Sequence, residues 1–248
     1  MRLSVIIVTT GGSPVLDRCL AALAAGSRVP EEVVLIDQTG RLAEQVEGWL
    51  GPLSRGLRYV RADPMGVSKA RNLGAAHATG DYLAFTDDDC VPAVDWLASY
   101  ADAITRLGAE AASSRVLALE DPSPGLVGVS LRTATTELVY DGTRAVTPWD
   151  IGTGASLLVS AERFAQISGF DEAFGPGARF PAAEDIDLLE RLMEAGARVV
   201  YTPSAVVYHQ MKPRRAWLGR QVPYGTGMGA MVARAERPRR RFLARSYA

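Results

Sequence analysis

Three consecutive carboxylates, Asp87, Asp88 and Asp89, end the apolar run of "DYLAFTDDDCVP" and are followed by Cys90. Like charges this close weaken one another unless something positive arrives. Asp87 and Asp89 are one residue apart, so an extended or turning backbone lets both address one hard cation through oxygen, as Mg²⁺ or Mn²⁺ requires. The competing use of such a cluster is a solvated acidic turn that caps the next helix. Asp-x-Asp alone is a short pattern, and its weight depends on what accompanies it.

A second acidic pair, Glu184 and Asp185 of "AAEDIDLLERL", falls in the first turn of an expected helix. The helix dipole alone favours acids there. Neighbouring helical residues also point about 100° apart, so one acid can anchor to the fold while the other faces a cleft as a general base toward a hydroxyl. His209 closes "AVVYH", where it is either a satisfied structural residue or a partner of Asp89 on one metal. Asp37 ends "VVLID"; a carboxylate only accepts hydrogen bonds, which suits an N–H donor such as the imide of uracil or thymine. Lys69 and Arg71 share "GVSKARNLG", where a guanidinium could clamp a diphosphate or both could form a solvated basic face. His77 lies in the same segment with no visible partner and is given no role.

Elements that would position these residues follow from periodicity. "LSVIIV", "EVVLID", "GLRYVR" and "DYLAF" are short β-branched or aromatic runs separated by helix-like segments, the alternation of a parallel sheet built from βα units. "SPVLDRCLAALAAG" predicts a helix with Ser13 as cap and Pro14 at its first position. "GVSKARNLGAAHATG" predicts another, capped by Ser68 and ended by Gly80, and "AVDWLASYADAITRLG" a third. Residues 120–148 contain three prolines and weak periodicity, an irregular surface excursion. "DIGTGASLLVS" predicts a strand entered through a glycine pair, "AEDIDLLERLMEAG" a helix ended by Gly196, and "ARVVYTPSAVVYH" two extended runs divided by Pro203. Ligands of open α/β sheets bind beyond the carboxyl ends of strands, which is where the aspartates fall.

With 248 residues, 48% apolar and 22% charged, the chain has the make-up of an ordinary globular protein long enough for one large α/β domain. Cys19 and Cys90 lack paired spacing, which argues against a disulfide framework or structural zinc and for a reducing, cytoplasmic setting. The apolar start stops at Thr9, too short for a signal peptide. No run reaches the roughly 18 apolar residues of a membrane-spanning helix. From Lys212 onward ten basic residues face only Glu236, a local charge of +9 that leaves −10 for residues 1–211. Such a basic segment is either solvated or suited to an anionic membrane surface or acceptor.

Together, "LSVIIVTTGG", "VVLIDQTG", "GVSKARNLGAAHATGDYLAFTDDDC" and "ISGFDEAFGPGARFPAAEDIDLLERLMEAGARVVYTPSAVVYH" resemble the family 2 glycosyltransferases of GT-A fold, over most of residues 1–211. The resemblance implies an α/β fold with a mostly parallel, Rossmann-like central sheet. Residues 1–119 would form the nucleotide-sugar half, 120–211 the acceptor and catalytic half, and 212–248 a basic helical extension. It implies inverting transfer from a nucleoside-diphosphate sugar to a hydroxyl, assisted by Mn²⁺ or Mg²⁺. Thr9 and Asp37 would border the base. Lys69, Arg71 and Asp88 would lie toward the donor, and Asp87 and Asp89 would form the Asp-x-Asp metal motif with His209. Asp185 would be the base, paired with Glu184, while Gly152 and Gly154 would let backbone approach the sugar. A UDP- or dTDP-sugar is favoured and a GDP-sugar is admissible; the acceptor would be a glycan, a lipid-linked sugar or a natural product. Cys90, Gln38 and "VTTGG" depart from the family pattern, which bears on the donor rather than the reaction.

Other classes fit less well. "FTDDDCV" matches the opening of haloacid-dehalogenase-like phosphatases, but there the motif follows the first strand, and here at least three βα units precede it. A sugar-phosphate nucleotidyltransferase would open with a glycine-rich loop ending in basic residues, and "TTGGSP" has no basic partner until Arg18. A non-catalytic nucleotide-sugar-binding module would bind donor without turnover. Gly225, Gly227 and Gly229 follow no strand, which argues against a dinucleotide fingerprint. Their segment is expected to rest on the inner face of a membrane, pair subunits or cover the site, and nucleic acid is not an expected partner.

Overall fold

The computed structural model describes residues 1–50, 56–121, 123–235 and 237–247. Pro122 of the excursion and Glu236 of the basic segment lie outside the described residues. Strands β1 (Leu3–Thr9), β2 (Glu32–Asp37), β3 (Leu57–Arg61) and β4 (Tyr82–Asp87) alternate with helices α1 (Leu16–Ala24), α2 (Val46–Leu50) and α3 (Val67–His77). Next come β5 (Cys90–Pro92), α4 (Trp96–Leu107), β6 (Ala111–Ala118), β7 (Leu126–Val127), β8 (Leu138–Tyr140), α5 (Pro148–Ile151), β9 (Ser156–Ser160) and α6 (Ala161–Gln166). They are followed by α7 (Glu184–Glu194), β10 (Val199–His209), β11 (Lys212–Pro213), α8 (Arg214–Gly219), α9 (Gln221–Arg234) and α10 (Arg237–Tyr247).

The main sheet has the order β3-β2-β1-β4-β9-β6-β10-β5, with β8 also on β10. β4, which carries the aspartates, is interior. The expected parallel pairing holds for β3, β2, β1 and β4 and for β6 with β10, whereas β9 runs antiparallel to both β4 and β6. Alternate residues of the central strands feed two cores. Leu3, Val5 and Ile7 pack with Leu16, Leu20, Trp96 and Tyr100, while Ile6, Val34 and Phe85 pack with Ala70, Leu188 and Leu192. Burial on both faces is why these strands read as continuous apolar runs.

Local departures have physical causes. α1 starts at Leu16, with Pro14 in the preceding turn, and Ser13 Oγ accepts the Val15 N–H at 3.2 Å. α3 is entered through Gly66 at φ 88°, where a Cβ would stand 3.0 Å from the Pro176 carbonyl. Ser68 is therefore not the cap: it is buried in the first turn and donates to the Phe174 carbonyl at 2.7 Å. β10 runs through Pro203 as one strand of 11 residues, and its register against β6 shifts between Thr202 and Val206. Proline removes a ladder donor, and a bulge absorbs the gap.

Phe174, Ala183 and Ile186 form a third core with Met231, Ala235 and Leu243 of the C-terminal segment. Arg234 pairs with Asp171 and, at 2.9 Å, with Asp187, and Arg239 grips Glu190 at 2.6 Å. Among the described residues no helix is long and apolar enough to cross a membrane.

Candidate active site

The carboxyl ends of β1, β2 and β4 converge with the start of α7 and the end of β10. β4 delivers Asp87, and the turn that follows carries Asp88 and Asp89 into β5. β10 lies antiparallel to β5 with His209 opposite Cys90. One ligand atom from each of Asp87, Asp89, Cys90 and His209 lies within 4.8 Å of the others. His209 Nε2 is 3.6 Å from Asp89 Oδ1, and Nδ1 is 2.8 Å from the Gln210 carbonyl. A carbonyl can only accept, so Nδ1 carries a proton and Nε2 is the atom turned toward the carboxylates, the arrangement of metal-binding histidines. Lys212 Nζ sits 2.5 Å from Asp89 Oδ2, a cation already drawn to that carboxylate. Two carboxylates and an imidazole thus fit a divalent cation. Burial and then the charges of Asp87 and Asp89 push the Cys90 thiol up, and its Sγ donates to Asp89 Oδ1 at 3.9 Å.

Asp88 turns away from this group. Its Oδ2 accepts from the Thr9 hydroxyl at 2.5 Å, and Thr9 Oγ1 in turn accepts the Gly12 N–H at 2.8 Å. Burial, opposed by the Thr9 hydrogen bond but helped by Asp89 and Asp87, pushes Asp88 up to about 6.

Arg71 is buried on α3 and joins the two acidic clusters. Its Nη2 lies 2.8 Å from Asp87 Oδ1, its Nη1 3.2 Å from Glu184 Oε1, and its guanidinium 5.3 Å from the centroid of the Phe170 ring. Burial raises the Glu184 pKa, Asp185 adds to the rise, and Arg71 opposes it. Asp185 is held by backbone: Oδ2 accepts the Gly154 N–H at 2.6 Å and Oδ1 the Ile186 N–H at 2.8 Å. Ala183, immediately before the pair, is a buried non-glycine residue in the left-handed region, φ 70° and ψ 19°. Such conformations cost about 1 to 3 kcal/mol and persist only where surroundings hold them.

The glycine pair serves close packing. A Cβ on Gly154 would lie 3.1 Å from both Arg71 Nη1 and Asp185 Cβ, and one on Gly152 would meet Ser113 Oγ at 1.7 Å. Asp37 is fully buried, and its oxygens accept from Thr39 N–H (2.8 Å), Thr39 hydroxyl (2.8 Å), Leu42 N–H (3.0 Å) and Tyr59 hydroxyl (2.8 Å). Those four donors fill the carboxylate, so Asp37 holds its loop, and a base imide would have to displace one of them. Lys69 is not brought to the site: it is exposed, about half a turn around α3 from Arg71.

Three features escaped the sequence reading. Lys212 reads in the sequence only as tail charge. Gln38 is buried, its Oε1 accepting Met65 and Gly66 N–H while its Nε2 has no partner among the described residues. Gly227 of α9 lies so near the Ala182 carbonyl that a Cβ would stand 2.4 Å from it. The Gly225, Gly227 and Gly229 spacing was the available signal for that contact.

The pre-mycofactocin glycosyltransferase of Mycobacterium tuberculosis is 29% identical over 177 residues, 68% of this chain and 35% of that protein. The chain thus spans about a third of that relative's length. The N-acetylglucosaminyl-diphospho-decaprenol L-rhamnosyltransferase of the same organism is 29% identical over 84% of this chain and 75% of its own length. Among solved structures, Staphylococcus aureus TarS 1-349 in complex with UDP-GlcNAc superposes with a TM-score of 0.73 at 17% identity, over 99% of this chain and 71% of that one. The Pyrobaculum calidifontis mannosyltransferase PcManGT, in complex with GDP-Man and Mn²⁺, gives 0.71 at 20% identity, over 98% and 68%. The shared architecture is the GT-A fold. The family model described as glycosyl transferase family 2 matches residues 4–134, and the chain belongs to that family.

Proposed function

We propose that the chain transfers a sugar from a nucleoside-diphosphate sugar to an acceptor hydroxyl with inversion at the anomeric carbon. The observation that carries this reading is the meeting of two acidic clusters beyond the carboxyl ends of the central strands, bridged by buried Arg71. Asp87, Asp89 and His209 would hold Mn²⁺ or Mg²⁺, which when bound supplies positive charge beside the leaving diphosphate.

Asp185 is the base. Backbone N–H groups fix both of its oxygens, leaving a lone pair to take the acceptor's hydroxyl proton. As that proton leaves, the acceptor oxygen bonds to the anomeric carbon, and the carbon–oxygen bond to the diphosphate breaks with its electron pair going to the nucleotide. Arg71 positions Asp87 and Glu184 and lends charge to the diphosphate side. Thr9, Asp88, Asp37 and Gln38 border the nucleotide, Asp37 by shaping its loop. Gly154 lets the turn that leads into β9 press against Arg71 and Asp185, and Gly152 lets it press against Ser113.

Supporting relatives include two glycosyltransferases, and supporting neighbours include complexes with UDP-GlcNAc and with GDP-Man and Mn²⁺. A UDP- or dTDP-sugar is the favoured donor, and residues 120–211 form the acceptor half. The test compares two variants. Asp185→Asn should abolish most turnover and keep nucleotide binding; unchanged turnover would remove the base. Asp89→Ala should weaken nucleotide binding in the presence of Mn²⁺; unchanged binding would remove the metal site.

A further inference from the structure

Residues 212–235 contain Lys212, Arg214, Arg215, Arg220 and Arg234 and no acid. Lys212 and Arg234 are taken up by Asp89, Asp171 and Asp187. Arg214, Arg215 and Arg220 are exposed and make no ion pair among the described residues. Beside them stand two large aliphatic side chains, Leu218 at 53% and Val222 at 78% exposure. α8 and α9 join at Arg220, which keeps helical dihedrals, and the Tyr224 N–H bonds to the Arg220 carbonyl. The two helices therefore continue with little break, and Arg214, Leu218 and Val222, spaced by four, share one face.

We propose that this α8–α9 elbow docks on an anionic phospholipid surface, with Leu218 and Val222 entering the headgroup boundary and Arg214 and Arg215, on the same face, meeting the phosphates. Charge complementarity favours that occupant, because basic and aliphatic side chains on one face are what an interfacial helix presents. A second copy of the chain fits poorly: a two-fold interface sets a patch against itself, here arginine against arginine. Nucleic acid would be served by aromatic platforms rather than Leu and Val.

The elbow is fixed at both ends near the site. Lys212 and Pro213 pair with β7, and the Arg214 N–H bonds to the Gly125 carbonyl, just past the Lys212–Asp89 contact. At the other end Gly227 packs on the backbone of Ala182, two residues before Glu184. Leu218 is about 6 Å of helix rise from Arg214, and Val222 about 7.5 Å from Gly227. A bound bilayer would therefore adjoin the catalytic cleft. That the acceptor hydroxyl is offered from this surface rests on the transferase reading; membrane docking itself does not.

The test is co-sedimentation of the full chain with phosphatidylcholine vesicles and with phosphatidylcholine/phosphatidylglycerol vesicles. Binding to the mixed vesicles alone, weakened by added salt, is expected. Leu218→Glu/Val222→Glu should bind tenfold or more weakly, and the double Arg→Gln variant at 214 and 215 roughly thirtyfold more weakly. These side chains are exposed, so each variant should keep its unfolding transition and its UDP, dTDP or GDP binding. That retained binding separates failure of docking from failure of the transferase reading. Absence of vesicle binding, equal binding to neutral vesicles, or variants that bind like the parent chain would overturn the proposal. So would a dimer in solution that Leu218→Glu/Val222→Glu dissociates.

Discussion

Replacing Arg71 by methionine should expose how strongly the two acidic clusters depend on one guanidinium. Methionine keeps apolar contact with Phe170 but removes the charge. Glu184, whose side chain is 13% exposed, loses its partner at 3.2 Å, and Asp87, at 35% exposure, loses one at 2.8 Å. Breaking a buried pair from one side costs about 3 to 5 kcal/mol. Water screens part of the Asp87 share, which places the expected loss near the bottom of that range, about 3 kcal/mol. The pH dependence follows from the raised Glu184 pKa. An acid whose folded pKa lies above its unfolded value contributes stability that is present below the unfolded value and lost as pH rises through the folded one. Arg71 opposes that loss and methionine does not, so the penalty should be largest at about pH 8 and shrink toward about pH 5, where Glu184 takes up a proton. Urea unfolding of both proteins at the two pH values measures it. A penalty below about 1 kcal/mol, or one equal at both pH values, would refute the bridge as a stabilising element.

Two further substitutions probe the frame of the site. Asp37→Asn leaves at least one buried donor facing an amide N–H, an expected loss of about 3 kcal/mol at neutral pH. Burial works to raise the Asp37 pKa, but the Leu42, Thr39 and Tyr59 hydrogen bonds overcome it and hold the carboxyl low. Its contribution is therefore present above the unfolded pKa of about 4 and is lost as pH falls through the lower folded value, so parent and variant unfolding curves should converge in acid. Gly227→Val places side-chain atoms where a Cβ already stands 2.4 Å from the Ala182 carbonyl; it should destabilise by about 1 to 3 kcal/mol and lower turnover through the loop before Glu184. Gly225→Ala, where a Cβ meets nothing within 4 Å, should instead raise the unfolding midpoint, since alanine is favoured in a helix by up to about 1 kcal/mol.

The sequence carried the parts of the fold that burial on two faces writes into it. β1, β2 and β4 are apolar runs because cores lie on both sides of the sheet, and Gly108 and Gly196 end α4 and α7 at left-handed φ of 59° and 75°. The direction of β9 was not legible, because alternation of side chains is the same whichever way a strand runs. Pro203 reads as a break, and only the bulge opposite β6 reveals that β10 passes through it. Ser68 has the composition of a cap, yet its hydroxyl serves the Phe174 carbonyl 106 residues away. The acidic clusters were visible as residue types at element ends, but their bridge was not: Arg71 and Glu184 are 113 residues apart. Asp37 looked available to a ligand, since nothing in its own strand announces the Leu42 and Tyr59 donors that fill it. The basic segment read as one charge block, whereas folding divides it into cations that pair with body acids and others left on the surface.

The central claim is that the edge beyond β4 takes a nucleoside diphosphate together with a divalent cation. Calorimetric titration of the purified chain with UDP, dTDP and GDP, each with Mn²⁺ and again with a chelator, tests it most directly. Binding of one nucleotide that requires Mn²⁺ and is lost in Asp89→Ala is the expected result. Failure of all three to bind, or binding that the chelator and Asp89→Ala leave unchanged, would contradict the account.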